Sequence, residues 1–164
     1  MEEGEPVLLV AAPMDFTPIP SGRTMPFLVE SLISVMLSVV FFLIAPMVLF
    51  VLILIHRKKQ RERTRFDCFS TGFILSGTLL VLNNLVLFGL FGINPFRSVA
   101  EVAPFIWINW VLGSLTVSLF TGSLWSWKTL GEGQRKRKVL FVVTTVMAIL
   151  FISQLWNWQF FVIL

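Results

Sequence analysis

One cysteine and one histidine occur in 164 residues, and only 13% of the chain is charged. With Cys68 alone there is no intrachain disulfide, no Cys-x-x-Cys redox pair and no thiolate zinc site. It reads as a small interfacial residue, or in a eukaryotic cell as a juxtamembrane acylation target. His56 stands at the edge of a hydrophobic run, so the histidines that usually hold a haem between helices are missing. No Gly-x-x-x-x-Gly-Lys loop is present to cradle phosphates, and Gly131-Glu132-Gly133 reads as a turn. Glu62, Asp67 and Glu132, the acids in and around the two basic loops, do not form the aspartate cluster of metal-dependent lipid-headgroup enzymes. The serines of the apolar runs have no buried histidine or lysine nearby to act as a base. The expectation is a chain that is not an enzyme and carries no catalytic, cofactor or metal site.

The scarcity of charge also excludes a soluble domain, in which about a quarter of the residues are charged. Of this chain, 56% is hydrophobic, and four runs reach the roughly 20 residues that a membrane-crossing helix needs. They predict transmembrane helices over 26–55, 69–93, 105–127 and 139–164. Pro46 is placed to kink the first, Asn94-Pro95 to close the second and Pro104 to precede the third. The runs are far longer than barrel strands and show no two-residue alternation. The predicted fold class is therefore an all-α integral membrane protein, a compact bundle of four transmembrane helices with short loops.

Basic residues set the orientation. Segment 56–68 holds Arg57, Lys58, Lys59, Arg61, Arg63 and Arg65, and segment 128–138 holds Lys128, Arg135, Lys136, Arg137 and Lys138, together eleven of the thirteen lysines and arginines. Because such bias marks the cytoplasmic side, both loops are expected there, with both termini and loop 94–104 opposite. The tryptophans agree, since they favour bilayer interfaces. Trp107 and Trp110 fall at the outer end of the third helix, Trp125 and Trp127 at its inner end, and Trp156 and Trp158 towards the outer end of the fourth. Residues 1–25, with Glu2, Glu3, Glu5, Asp15 and four prolines, read as an acidic non-cytoplasmic tail. Pro18 and Pro20 predict an extended, irregular path there. Arg57, Lys58, Lys59, Arg61, Arg135, Lys136, Arg137 and Lys138 are candidate contacts for anionic lipids, since such clusters beside a membrane attract them. Nucleic acid is not implied.

Polar residues inside the apolar runs are the functional lead. Residues three, four and seven apart share a helix face, which groups Ser31, Ser34, Ser38 and Ala45; Gly72, Ser76 and Asn83, with Gly77 and Asn84 alongside; Asn109, Gly113, Thr116 and Ser123; and Thr145, Ala148, Gln154 and Asn157. Such small or hydroxylated stripes let helices approach closely in lipid. At about 1.5 Å rise per residue, Asn83, Asn84, Gln154, Asn109 and Glu30 all fall in the outer half of the membrane. Asn83 and Asn84 point about 100° apart and are expected to serve two different neighbouring helices. Glu30, Asn83, Asn84, Asn109, Gln154 and Asn157 thus form the candidate polar cluster or partner contact. Glu30 is singled out because an ionisable group within a span is costly.

Two functions fit these residues. One is an accessory, assembly or regulatory subunit of a larger membrane complex, with asparagines as interhelical glue and a membrane-protein partner or a second copy alongside. The other is a small oligomeric transporter or channel, in which the outer polar cluster and Glu30 bind a solute or ion.

Overall fold

The computed structural model describes residues 9–11, 14–16, 25–58, 64–93, 99–129 and 135–158. They divide into two compact units, Met1–Ile33 and Ser34–Leu164.

In the first unit, strands β1 (Leu9–Ala11) and β2 (Met14–Phe16) pair antiparallel, Leu9 opposite Phe16 and Ala11 opposite Met14. Pro18 and Pro20, for which an irregular path is predicted, lie outside the described residues. Val10 and Phe16 favour extended backbone. Helix α1 (Met25–Lys58) begins in this unit and continues into the second.

The other described elements of the second unit are helices: α2 (Arg65–Ile93), α3 (Val99–Ser126), a single 3-10 turn (Trp127–Thr129) and α4 (Arg135–Asn157). Each of the four helices is long and apolar enough to cross a membrane, and together they point to a multi-pass membrane protein.

Three helix starts differ from the sequence reading, each for a local reason. Helix α2 begins four residues early because Thr64 caps it. The Thr64 hydroxyl accepts the Asp67 N–H at 3.3 Å, while the Asp67 carboxylate accepts the Thr64 N–H at 3.0 Å. This reciprocal capping box satisfies backbone donors that the helix itself leaves unpaired. Helix α3 starts at Val99 and takes Pro104 inside it. A proline so near the start frees only the Ala100 carbonyl. Helix α4 starts at Arg135, within the segment expected as loop, and ends at Asn157. The last six residues lie outside the described ones.

Helix α2 is the centre. Phe66, Phe73, Leu80 and Leu87 recur every seven residues along it and are all buried, the spacing that keeps one seam of a helix against its neighbours. Phe42, Phe141, Ala148, Phe151 and Leu155 join the first three, with Val81, in the main core, while Leu87 packs with Val102 and Ile106 in a smaller one. On α4 the buried hydroxyl is Thr144 and not the expected Thr145. Residue 144 falls within the 141, 148, 155 repeat, one turn after Phe141, and its neighbour is rotated towards the flank.

Helices α1 and α2 meet where Phe42 faces Gly77. A Cβ on Gly77 would lie 2.3 Å from the Phe42 ring, so only glycine admits that ring here. At the same crossing, Pro46 has no N–H to give the Phe42 carbonyl one turn below it. Thr78 of α2 supplies the donor instead, its hydroxyl shared at 2.9 Å between the carbonyls of Phe42 and Ile74. Ser38 joins α1 to α4 in the same manner, reaching Ser34 O at 2.8 Å and Met147 O at 3.2 Å.

Candidate functional site

The seam between α2 and α3 carries the most concentrated polar chemistry described in the span region. Asn109 sits on the same α3 face as Thr116 and Ser123, seven residues apart, and all three are buried. Opposite it on α2 lie Asn83, half-buried, and Asn84, 2% exposed.

The three amides interlock. Asn84 Nδ2 donates to Asn109 Oδ1 at 2.9 Å, and Asn109 Nδ2 donates to Asn84 Oδ1 at 3.0 Å. Asn83 Nδ2 donates to the same Asn109 Oδ1 at 2.8 Å and to the Phe105 carbonyl at 2.9 Å. The second Asn84 N–H returns to Leu80 O at 2.8 Å. Both N–H donors on each α2 asparagine are therefore spent, and Asn109 Oδ1 uses both of its lone pairs. About two turns further along, Thr116 Oγ1 lies 2.7 Å from Leu112 O and 3.1 Å from Ser76 Oγ, whose own proton goes to Phe73 O.

This arrangement corrects the expectation that Asn83 and Asn84 address two helices: both reach α3. Two consecutive residues can flank a single partner when its acceptor lies on the line between them, and a carbonyl oxygen has two lone pairs to offer.

Of the other candidates, Gln154 and Asn157 lie on α4 and Glu30 belongs to the first unit. Gln154 makes no hydrogen bond to the asparagines, and its Oε1 is buried with no partner. Asn157 is exposed in the last turn of α4, and Glu30 is exposed on α1. Among the described residues Glu30 has no ion-pair partner.

A second polar site, which sequence reasoning did not identify, lies at the opposite ends of α2 and α3. Asp67, besides capping α2 with Thr64, takes the Arg137 guanidinium of α4, with Nη1 2.8 Å from Oδ1 and 2.9 Å from Oδ2. The Thr64 hydroxyl donates to that same Oδ2 at 2.9 Å. Both ionic side chains are about four-fifths covered, at 23% and 21% exposure. The pairing has an electrostatic cause: α4 opens with Arg135, Lys136, Arg137 and Lys138, placing cations at the end of the helix dipole that is already positive. Asp67 brings the missing negative charge from another helix. Beneath it, Phe141 is the hub of an aromatic cluster, with ring centroids 5.6 Å from Phe66, 5.4 Å from Trp127 and 5.9 Å from a stacked Phe120. Lys138 Nζ lies 5.7 Å from the centre of the Trp127 ring, within cation–π range.

Of the candidate lipid contacts, Arg137 is thus engaged by Asp67 and Lys138 rests over Trp127. Lys59 and Arg61 lie outside the described residues, as do the side chains of Arg57, Lys58, Arg135 and Lys136. Among the described residues, no three His, Cys, Asp or Glu side chains gather where they could hold a metal ion. No protein-family model, curated protein or solved structure matches the chain.

Proposed function

We propose that the chain is an integral membrane protein acting as an accessory, assembly or regulatory subunit of a larger membrane complex. In this reading segments 56–68 and 128–138 face the cytoplasm, and both termini and segment 94–104 face the other side. One observation carries it: Asn83 and Asn84 spend both of their N–H donors, and Asn109 Oδ1 both of its lone pairs, on one another and on nearby backbone. A solute-binding site in a span needs polar groups with capacity left for the solute. These hold two helices together, the ordinary use of carboxamides in a membrane.

The distribution of cover supports the same reading. Half of the apolar span of α2 is buried within the protein, against 17% of that of α1. Large apolar side chains stand outward along α1, among them Met36, Leu37, Val40, Ile44, Met47 and Phe50. A helix so little covered by its own chain has surface to give to lipid and to a partner helix.

The test is extraction of the tagged full chain from its native membrane in mild detergent, followed by native mass spectrometry. A stoichiometric complex with a different, larger membrane protein is expected. Recovery of the 18.7 kDa chain alone, or of its homo-oligomer, would count against a subunit role.

A further inference from the structure

Among the described residues, the end of the second unit where α2 and α4 begin carries more positive charge than its acidic groups balance. Asp67 is engaged by Arg137 and by Thr64, so its charge is committed. Arg65 and Lys128 are exposed and Lys138 is half-buried over the Trp127 ring. Among the described residues none of these three has an acidic partner. Packing of Phe66, Trp127 and Phe141 brings the segments that carry them together.

Each of these cations also has an exposed apolar side chain within one turn in sequence: Phe69 after Arg65, Trp125 before Lys128, and Val139 after Lys138. Charge beside apolar surface matches an amphiphile, with a phosphate to meet the cations and acyl chains to lie along the helices. Free phosphate, which is wholly polar, gains nothing from Phe69, Trp125 or Val139. We propose that this end of the protein is a docking surface for an anionic phospholipid, its headgroup phosphate held by Lys128 and Lys138 with Arg65 adding to the field. Lys138 is held in place by Trp127, an aromatic type that itself favours the headgroup level. The proposal does not depend on the subunit role.

The test uses the purified full chain in a neutral detergent. Binding is read by native mass spectrometry against phosphatidylglycerol, against phosphatidylcholine of the same acyl chains, and against inorganic phosphate alone. Phosphatidylglycerol is expected to bind selectively, and the double variant K128Q/K138Q to bind it roughly 30-fold more weakly, from about fivefold per basic residue near the surface. K128R/K138R, which keeps the charge, is expected to retain binding, separating loss of the site from loss of the fold. The charge-matched control R23Q/R97Q, at the two basic residues outside segments 56–68 and 128–138, is expected to change affinity less than about threefold, since it removes the same net charge and leaves the proposed site intact. Equal binding of phosphatidylcholine, an equal loss in both glutamine variants, or phosphate binding as tight as that of the lipid would each overturn the proposal.

Discussion

Asn84 and Asn109 exchange hydrogen bonds in both directions, each amide nitrogen on the other's oxygen at 2.9 and 3.0 Å, and Asn83 adds a third donor to Asn109 Oδ1 at 2.8 Å. Removing one member strands the others, whereas removing all three strands nothing on the side chains. Asn109→Leu is expected to destabilise the protein by about 1–3 kcal/mol, the cost of leaving buried polar groups unpaired. The triple variant with leucine at 83, 84 and 109 is expected to recover to within about 1 kcal/mol of the parent, because apolar replacement of all partners is close to neutral. Unfolding in mixed micelles measures both. A triple variant as unstable as the single one would show that the asparagines do more than hold α2 to α3.

Thr78 and Pro46 are coupled through a carbonyl that neither owns. Thr78→Val removes the donor to Phe42 O and is expected to cost about 1 kcal/mol. In a Pro46→Ala background the backbone N–H gained at position 46 can serve that carbonyl, so the same substitution should cost less than about 0.5 kcal/mol. The double-mutant cycle reads the difference directly. Additive costs would mean that Thr78 does not compensate for the proline.

At the other end of α2, Asp67 serves two partners and Arg137 is one of them. Arg137→Gln removes the ion pair with Asp67 and leaves the cap, and is expected to cost about 1 kcal/mol or less, given its partial exposure. Asp67→Ala removes the ion pair and the cap together and is expected to cost about 1 kcal/mol more, a typical value for a lost cap. Thr64→Ala should fall near that capping increment. Chemical unfolding of the three variants orders them, and equal losses for Asp67→Ala and Arg137→Gln would dismiss the capping role.

The chain's single cysteine provides a test of orientation without any engineering. Cys68 is exposed near the start of α2, on the side proposed as cytoplasmic. A membrane-impermeant maleimide is expected to label it in inverted vesicles and not in right-side-out ones. Labelling in right-side-out vesicles would reverse the proposed topology.

The span-forming segments were legible because a run such as that from Phe69 to Ile93 has no soluble alternative. The participation of Asn83, Asn84 and Asn109 was also legible, from their depth along their helices. Their pairing was not: a 100° angular offset tells how two side chains diverge, and not where a neighbour's acceptor lies between them. Gln154 shared the depth of the asparagines without joining them, because depth along a helix leaves rotation about its axis open. The starts of α2 and α4 were hidden for another reason. The Thr64-x-x-Asp67 capping pattern is embedded in a run of arginines and lysines whose charge reads first as loop. The Asp67–Arg137 pair spans 70 residues. Local pattern carries no trace of a contact that distant, beyond the fact that Asp67 is a rare acid among cations.

The Thr78 hydroxyl has a consequence for biogenesis. It reaches the Phe42 carbonyl from 36 residues further along the chain, so α1 leaves the ribosome before its own backbone can be completed. Until α2 follows, the carbonyl that Pro46 leaves unserved must face lipid, water or the translocation machinery. The first helix is therefore finished by the second. A nascent chain truncated between them would expose an unpaired peptide group midway along a span, a defect by which membrane quality control could distinguish an orphaned α1 from an assembled one.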